Sequence, residues 1–185
     1  MTFAQFQRFA PLLIVAAGFV LVPLVVHRFF PEELRTTMIE LRAAPATVAP
    51  IAFEDDAGRK ITLERFRGRF VLLNLWATWC PPCKAEMPSL NALAARFPAT
   101  ELSIVPISVD EAGIGAARRY YAEYRLDRLA LYVDPSMDAM RKLAAVGIPT
   151  TLLLDREGRE IGRLVGAAQW DSPAIVEGLA RVLGH

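Results

Sequence analysis

The chain has 185 residues, enough for one domain with a full core plus an additional segment. Its formal charge is +1, and its 18 arginines and 3 lysines are scattered among 20 acids. That pattern excludes an electrostatic nucleic-acid footprint and reads as a solvated surface. Hydrophobic residues make up 54% of the chain, above an ordinary soluble domain, and the excess is concentrated at the N-terminus.

From Ala10 to Val26, "APLLIVAAGFVLVPLVV" carries no charge and no polar side chain. At the helical rise this stretch spans about 25 Å, close to a hydrocarbon core of about 30 Å. Phe9, Phe29 and Phe30 extend it with interface-loving rings. A cleaved signal peptide needs a small-residue site directly after its apolar core; here "HRFFPEEL" follows, and the first Ala-x-Ala is Ala44–Ala46. Gly18 and Pro23 weaken a helix in water but are tolerated in lipid. Residues 1–30 are therefore expected to be a transmembrane anchor. Basic residues do not orient it, since Arg8 stands on one side and Arg28, Arg35 and Arg42 on the other.

Residues 31–47 are expected to form a linker, beginning with a short helix and ending in "AAPATVAP", with the domain boundary near residue 45. The domain then runs from 48 to 185. "AFEDDAGRKITL" predicts two short strands around a turn at Asp56-Ala57-Gly58. "RFVLLNLWA", Arg69 to Ala77, predicts a strand covered on both faces. Leu90, Leu93, Ala94 and Phe97 form one helical stripe behind it, and Pro88 is expected to kink that helix. "LSIVPISVD" predicts the next strand, "GAARRYYAEYRL" a helix, "LALYVD" a strand and "SMDAMRKLAAV" a helix. "TTLLLDREGREIGRLVG" predicts two strands joined at Arg156-Glu157-Gly158. "SPAIVEGLARVLG" closes the chain as a helix with Ser172 as N-cap and Pro173 at its first position. The alternation specifies an α/β layered fold around a mixed sheet.

Both cysteines of the chain, Cys80 and Cys83, lie in "NLWATWCPPCKAEMPSL", where the buried strand gives way to the helix. A thiolate there faces the positive end of the helix dipole, which lowers its pKa below the free value of about 8.5. With Cys80 as N-cap, neither Pro81 nor Pro82 offers its sulfur an N–H, so the amide of Cys83 is the first free donor. Cys80, beside Trp79, is expected to attack; Cys83, one turn inside, is expected to resolve. Structural zinc needs about four ligands, and only His27 and the terminal His185 supplement the pair. Haem attachment needs His where Lys84 stands. A structural disulfide closing so short a loop constrains little unfolded-state entropy. A two-coordinate Cu(I) carrier using the same sulfurs remains the alternative. A thiol peroxidase with Pro-x-x-x-Thr-x-x-Cys spacing is disfavoured by Leu73 and Ala77.

"DDAGRKITLERFRGRFVLLNLWATWCPPC", "WATWCPPCKAEMPSL", the "VPISVD" strand, "GIPTTLLLDREGREIGRLVG" and "AAQWDSPAIVEGL" together resemble the TlpA-type branch of the thioredoxin superfamily over roughly residues 48–185. That group comprises membrane-tethered bacterial thiol–disulfide oxidoreductases whose catalytic domain faces the periplasm. The resemblance implies a thioredoxin-like fold, a mixed central sheet flanked by helices, behind an N-terminal transmembrane helix. It implies no cofactor beyond a redox-active Cys80–Cys83 disulfide, and no metal. Its implied partners are disulfides of respiratory oxidase or cytochrome assembly proteins, including copper-delivery proteins, with a membrane electron donor to recharge the pair. The implied location is the inner membrane, single-pass, with the domain in the periplasm.

The resemblance also implies a cis peptide at Ile148–Pro149, leaving the backbone of Ile148 free to pair with an extended substrate; the alternative is an ordinary turn before Thr150. Trp79, Pro81, Pro82, Ile148 and Pro149 are the implied substrate-binding residues. Thioredoxins carry a buried Asp six residues before the first cysteine, where this chain has Asn74, which cannot titrate. Glu86, one turn beyond Cys83 on the same helical face, is the candidate carboxylate. Its alternative is an exposed acid favoured by the helix dipole. Thr150 stands where the cytochrome c maturation subgroup usually has Glu, a departure from that subgroup.

Overall fold

The computed structural model describes residues 39–184. The predicted anchor at 1–30 and linker residues 31–38 lie outside the described residues. Among the described residues no helix is long and apolar enough to cross a membrane.

Eight strands form one sheet: β1 Glu40–Ala46, β2 Ala52–Asp55, β3 Lys60–Thr62, β4 Phe70–Trp76, β5 Leu102–Ser108, β6 Tyr132–Val133, β7 Thr150–Leu154 and β8 Glu160–Val165. Their order is β1-β8-β7-β4-β5-β6-β2-β3. β4 pairs parallel with β5 and antiparallel with β7, which makes the sheet mixed. Among the described residues four α-helices alternate with the strands: α1 Pro81–Leu93, α2 Ile114–Tyr124, α3 Asp138–Lys142 and α4 Pro173–Leu183. β4 is buried continuously from Val71 to Trp76, as a strand covered on both faces must be. Met87, Leu90 and Leu93 of α1 and Ile175 and Leu179 of α4 join its side chains in the core. The mixed sheet is that of a thioredoxin-like fold.

The two predicted turns share one construction. Asp55 Oδ1 accepts the amides of Ala57 and Arg59, and its Oδ2 accepts Arg59 Nε at 2.8 Å. Asp155 repeats this with Glu157 and Arg159, at 2.7 Å to Nε. Gly58 and Gly158, at φ 73° and 78°, occupy the left-handed position each turn requires. The sequence Asp-x-x-Gly-Arg is thus a hairpin connector used twice.

Three expectations need correction. Residues 40–46, read as linker, are the edge strand β1, paired antiparallel with β8 and part of the folded unit. The run 129–134 gives only a two-residue strand, β6. The helix expected over 136–146 is five residues long, because Ala144 turns left-handed at φ 50° and the amide of Ala145 bonds the carbonyl of Met140. Ser172 caps α4 by position without a side-chain hydrogen bond.

Candidate active site

β4 delivers the segment Ala77–Cys80 to the sheet's carboxyl edge, and α1 begins at once. Cys80 is the N-cap, and Pro81 and Pro82 fill the first two helical positions. The two sulfurs are joined, Sγ to Sγ, at 2.07 Å. The first available amide, that of Cys83, points at Cys80 Sγ at 3.2 Å. Cys83 is fully buried, whereas Cys80 keeps 4% of its surface. Pro81 and Pro82 are exposed beside it, and Trp79 is 61% exposed.

The loop after α3 supplies the opposite wall. Ile148–Pro149 is cis, and the Ile148 carbonyl oxygen lies 3.7 Å from Cys80 Sγ. Pro149 is buried, and its own carbonyl accepts the amide of Gly166 at 2.9 Å, tying the start of β7 to the end of β8. Thr150 Oγ1 closes the loop by donating to the Gly147 carbonyl at 2.6 Å. Trp79, Pro81 and Pro82 are exposed around Cys80, Ile148 is half-buried beside it, and Cys83 and Pro149 are buried.

Glu86 is buried as well. It is 2% exposed, so the reading of an exposed dipole-favoured acid is set aside. Oε1 accepts Asn74 Nδ2 at 2.8 Å; Oε2 accepts the amide of Ala168 at 3.0 Å and Trp170 Nε1 at 2.9 Å. Burial pushes the Glu86 pKa up, and the three donors oppose that shift without cancelling it. Asn74, standing in the thioredoxin aspartate position, also donates to Thr151 Oγ1 at 2.9 Å. The Asn residue and the candidate carboxylate are thus one buried hydrogen-bonded unit.

Two contributors escaped the sequence reading. Asp110, 2% exposed, follows β5 and accepts both the amide and the hydroxyl of Thr78, at 2.9 and 2.7 Å, with Ser108 Oγ at 2.6 Å. It fixes the loop that presents Trp79 and Cys80. Its position at the carboxyl end of a strand parallel to β4 was a usable signal, since ligand sites gather there. Trp170 gave no local signal, being 84 positions from its partner. Among the described residues no group of three or more metal-ligating side chains occurs.

Residues 42–160 match the AhpC/TSA family. The chain is similar to the thiol-disulfide oxidoreductase ResA of Bacillus thuringiensis subsp. konkukian, 32% identical over 112 residues. That match spans 60% of this chain and 64% of the relative, a little under two thirds of its length. ResA of Geobacillus thermodenitrificans is 28% identical over 148 residues, covering 80% of this chain and 78% of the relative. Among solved structures, a putative thiol:disulfide interchange protein DsbE from Chlorobium tepidum superposes with a TM-score of 0.68 at 25% identity. It covers 80% of this chain and 100% of the other.

Proposed function

We propose that this chain, which belongs to the AhpC/TSA family, is a thiol–disulfide oxidoreductase that reduces protein disulfides through Cys80 and Cys83. The observation that carries this reading is the pair's placement. A cystine caps a helix with the Cys83 amide on Cys80 Sγ, and a free backbone carbonyl stands 3.7 Å away beside a cis-proline. Such a carbonyl is what an extended partner strand needs for main-chain pairing.

In the reduced protein the Cys80 thiolate, favoured by the Cys83 amide and the helix dipole, attacks one sulfur of a partner disulfide. An S–S bond forms between Cys80 and the partner, and the partner's other sulfur leaves as a thiolate and takes up a proton. Cys83 then gives its proton to Glu86 and attacks Cys80 Sγ. The Cys80–Cys83 bond forms, and the partner departs with its second sulfur reduced. Two electrons pass to the partner; its first thiolate takes a proton from solvent, its second takes the proton that Glu86 received, and the protein is left as the disulfide described above. Trp79, Pro81, Pro82, Ile148 and Pro149 form the surface that receives the partner.

The finer reading follows from the sequence. The apolar segment 10–26 tethers the domain to the inner membrane, with the site in the periplasm. A dithiol in that oxidising compartment needs a membrane electron donor to regenerate it. Oxidase or cytochrome assembly proteins, copper-delivery proteins among them, are the substrates this reading assigns.

The test is a partner trap. Cys83→Ser in the full chain should accumulate mixed disulfides through Cys80, identifiable after isolation under non-reducing conditions, while Cys80→Ser should form none and lose reductase turnover. Reductase activity surviving in Cys80→Ser would overturn the reading, and tight Cu(I) retention without disulfide turnover would favour a copper carrier.

A further inference from the structure

The three donors around Glu86 are not equivalent. Ala168 N and Trp170 Nε1 can only donate, and both address Oε2. Neither can accept a proton from the carboxyl group, so Oε2 is an acceptor in every state of the site. Oε1 faces Asn74, whose side chain carries both a donor and an acceptor. Asn74 Nδ2 serves Glu86 and Thr151, and its Oδ1 is buried without a partner. A buried amide oxygen left unpaired is costly, unless another state of the site uses it.

We propose that Trp170 is a positioning residue of this site: its indole N–H, with the Ala168 amide, pins Oε2 of Glu86 so that the proton released by Cys83 is lodged on Oε1, opposite Asn74. When Oε1 carries the proton, the Asn74 amide turns over, its orphaned Oδ1 accepts the O–H, and the Thr151 hydroxyl reverses to donate. The proposal rests on the reading of Glu86 as the proton partner of Cys83. The architecture around Trp170 is built for rigidity. The ring is fully buried, its backbone amide donates to Ser89 Oγ at 3.0 Å, and Ser89 Oγ lies 2.8 Å from the Glu86 carbonyl and 3.4 Å from that of Ala168. The segment running into it starts at Gly166, which is bonded to Pro149. The wall of the partner groove and the proton site are therefore joined by the five residues Gly166–Trp170.

Trp170→Phe keeps the ring and removes the N–H. With one donor fewer, the ionised carboxylate is less favoured. Disulfide reduction by the full chain should fall about fivefold near pH ~6 and converge on the parent rate near pH ~9. A loss equal at all pH values marks a packing role and overturns the proposal, as does a profile superimposed on the parent's. Glu86→Gln separates the two readings. If it abolishes the acid limb while Trp170→Phe does not move it, Trp170 alone is refuted. If Glu86→Gln leaves the profile unchanged, the assignment of Glu86 falls too. Should Trp170→Phe not fold, the unaltered chain serves. Its Trp170 indole N–H resonance should titrate with the same midpoint as the acid limb, and a resonance flat across that range refutes the contact.

Discussion

Pro88 removes an amide from the middle of α1 and leaves the carbonyl of residue 84 without its helical donor. α1 continues through it, from Pro81 to Leu93. The vacated carbonyl of Lys84 accepts the hydroxyl of Tyr120 at 3.1 Å, a donor supplied from α2. Tyr120 is held from both sides, packed on Trp76 at 5.3 Å and stacked on Tyr124 at 4.4 Å, and burial pushes its pKa up to about 12. It therefore stays protonated and able to donate at any physiological pH. Tyr120→Phe keeps the stacking and orphans the carbonyl, so equilibrium denaturation should show a loss of about 1 kcal/mol. In a Pro88→Ala background the restored amide satisfies Lys84, and the same Tyr120 change should cost measurably less. Equal costs in the two backgrounds would disconnect the proline from the tyrosine.

At the scale of elements, the edge strand β1 shows why part of the fold was illegible. "ELRAAPA" has no apolar alternation because nearly all of its residues are exposed, and Pro45 is tolerated where no inner ladder needs its amide. What holds it is a partner far along the chain. Gly162 of β8 leaves room for Ile39, whose Cγ2 would stand 2.5 Å from an added Cβ, with Leu41 Cδ2 at 3.1 Å. The cysteine-pair motif was legible for the opposite reason: its chemistry is compressed into one strand, one turn and one helix, so spacing placed Cys80 at the N-cap, while the burial of Glu86 stayed open between two readings. Asp110 and Trp170 meet that motif only through pairing of β4 with β5 and packing of the 166–170 segment, which no local pattern encodes. Gly162→Ala should cost about 1–3 kcal/mol through overpacking against β1. In a chain trimmed to begin at Val48 the penalty should vanish, because Ile39 and Leu41 are gone. Thermal unfolding of the four proteins tests this, and a penalty persisting in the trimmed chain would place its origin elsewhere.

For the molecule as a whole, the carboxylates divide into two classes with opposite pH behaviour. Asp55, held low mainly by Arg59, and Glu160, held low mainly by Arg163, contribute stability above their unfolded values that is lost as pH falls through their folded ones. Glu86 does the reverse. Burial raises its folded pKa above the usual 4.5, so the native state binds its proton more tightly than the unfolded chain does. The native state then holds more protons than the unfolded one, and stability falls as pH rises from about 4.5 to the folded value. The fold therefore tolerates a stability cost at neutral pH at the position where the proposed reaction needs a base. Glu86→Gln removes this titration and has a ready partner, since the buried Oδ1 of Asn74 can accept its amide while the Gln oxygen keeps Ala168 and Trp170. The stability of Glu86→Gln minus that of the parent should be constant below about pH 4.5, climb from there to the folded value of Glu86 and level off beyond it. Asp55 and Glu160 cancel in that difference because both proteins share them. Chemical denaturation of the oxidised proteins across this range measures the curve. A flat difference would mean that Glu86 titrates alike folded and unfolded, and a falling one that its donors outweigh its burial.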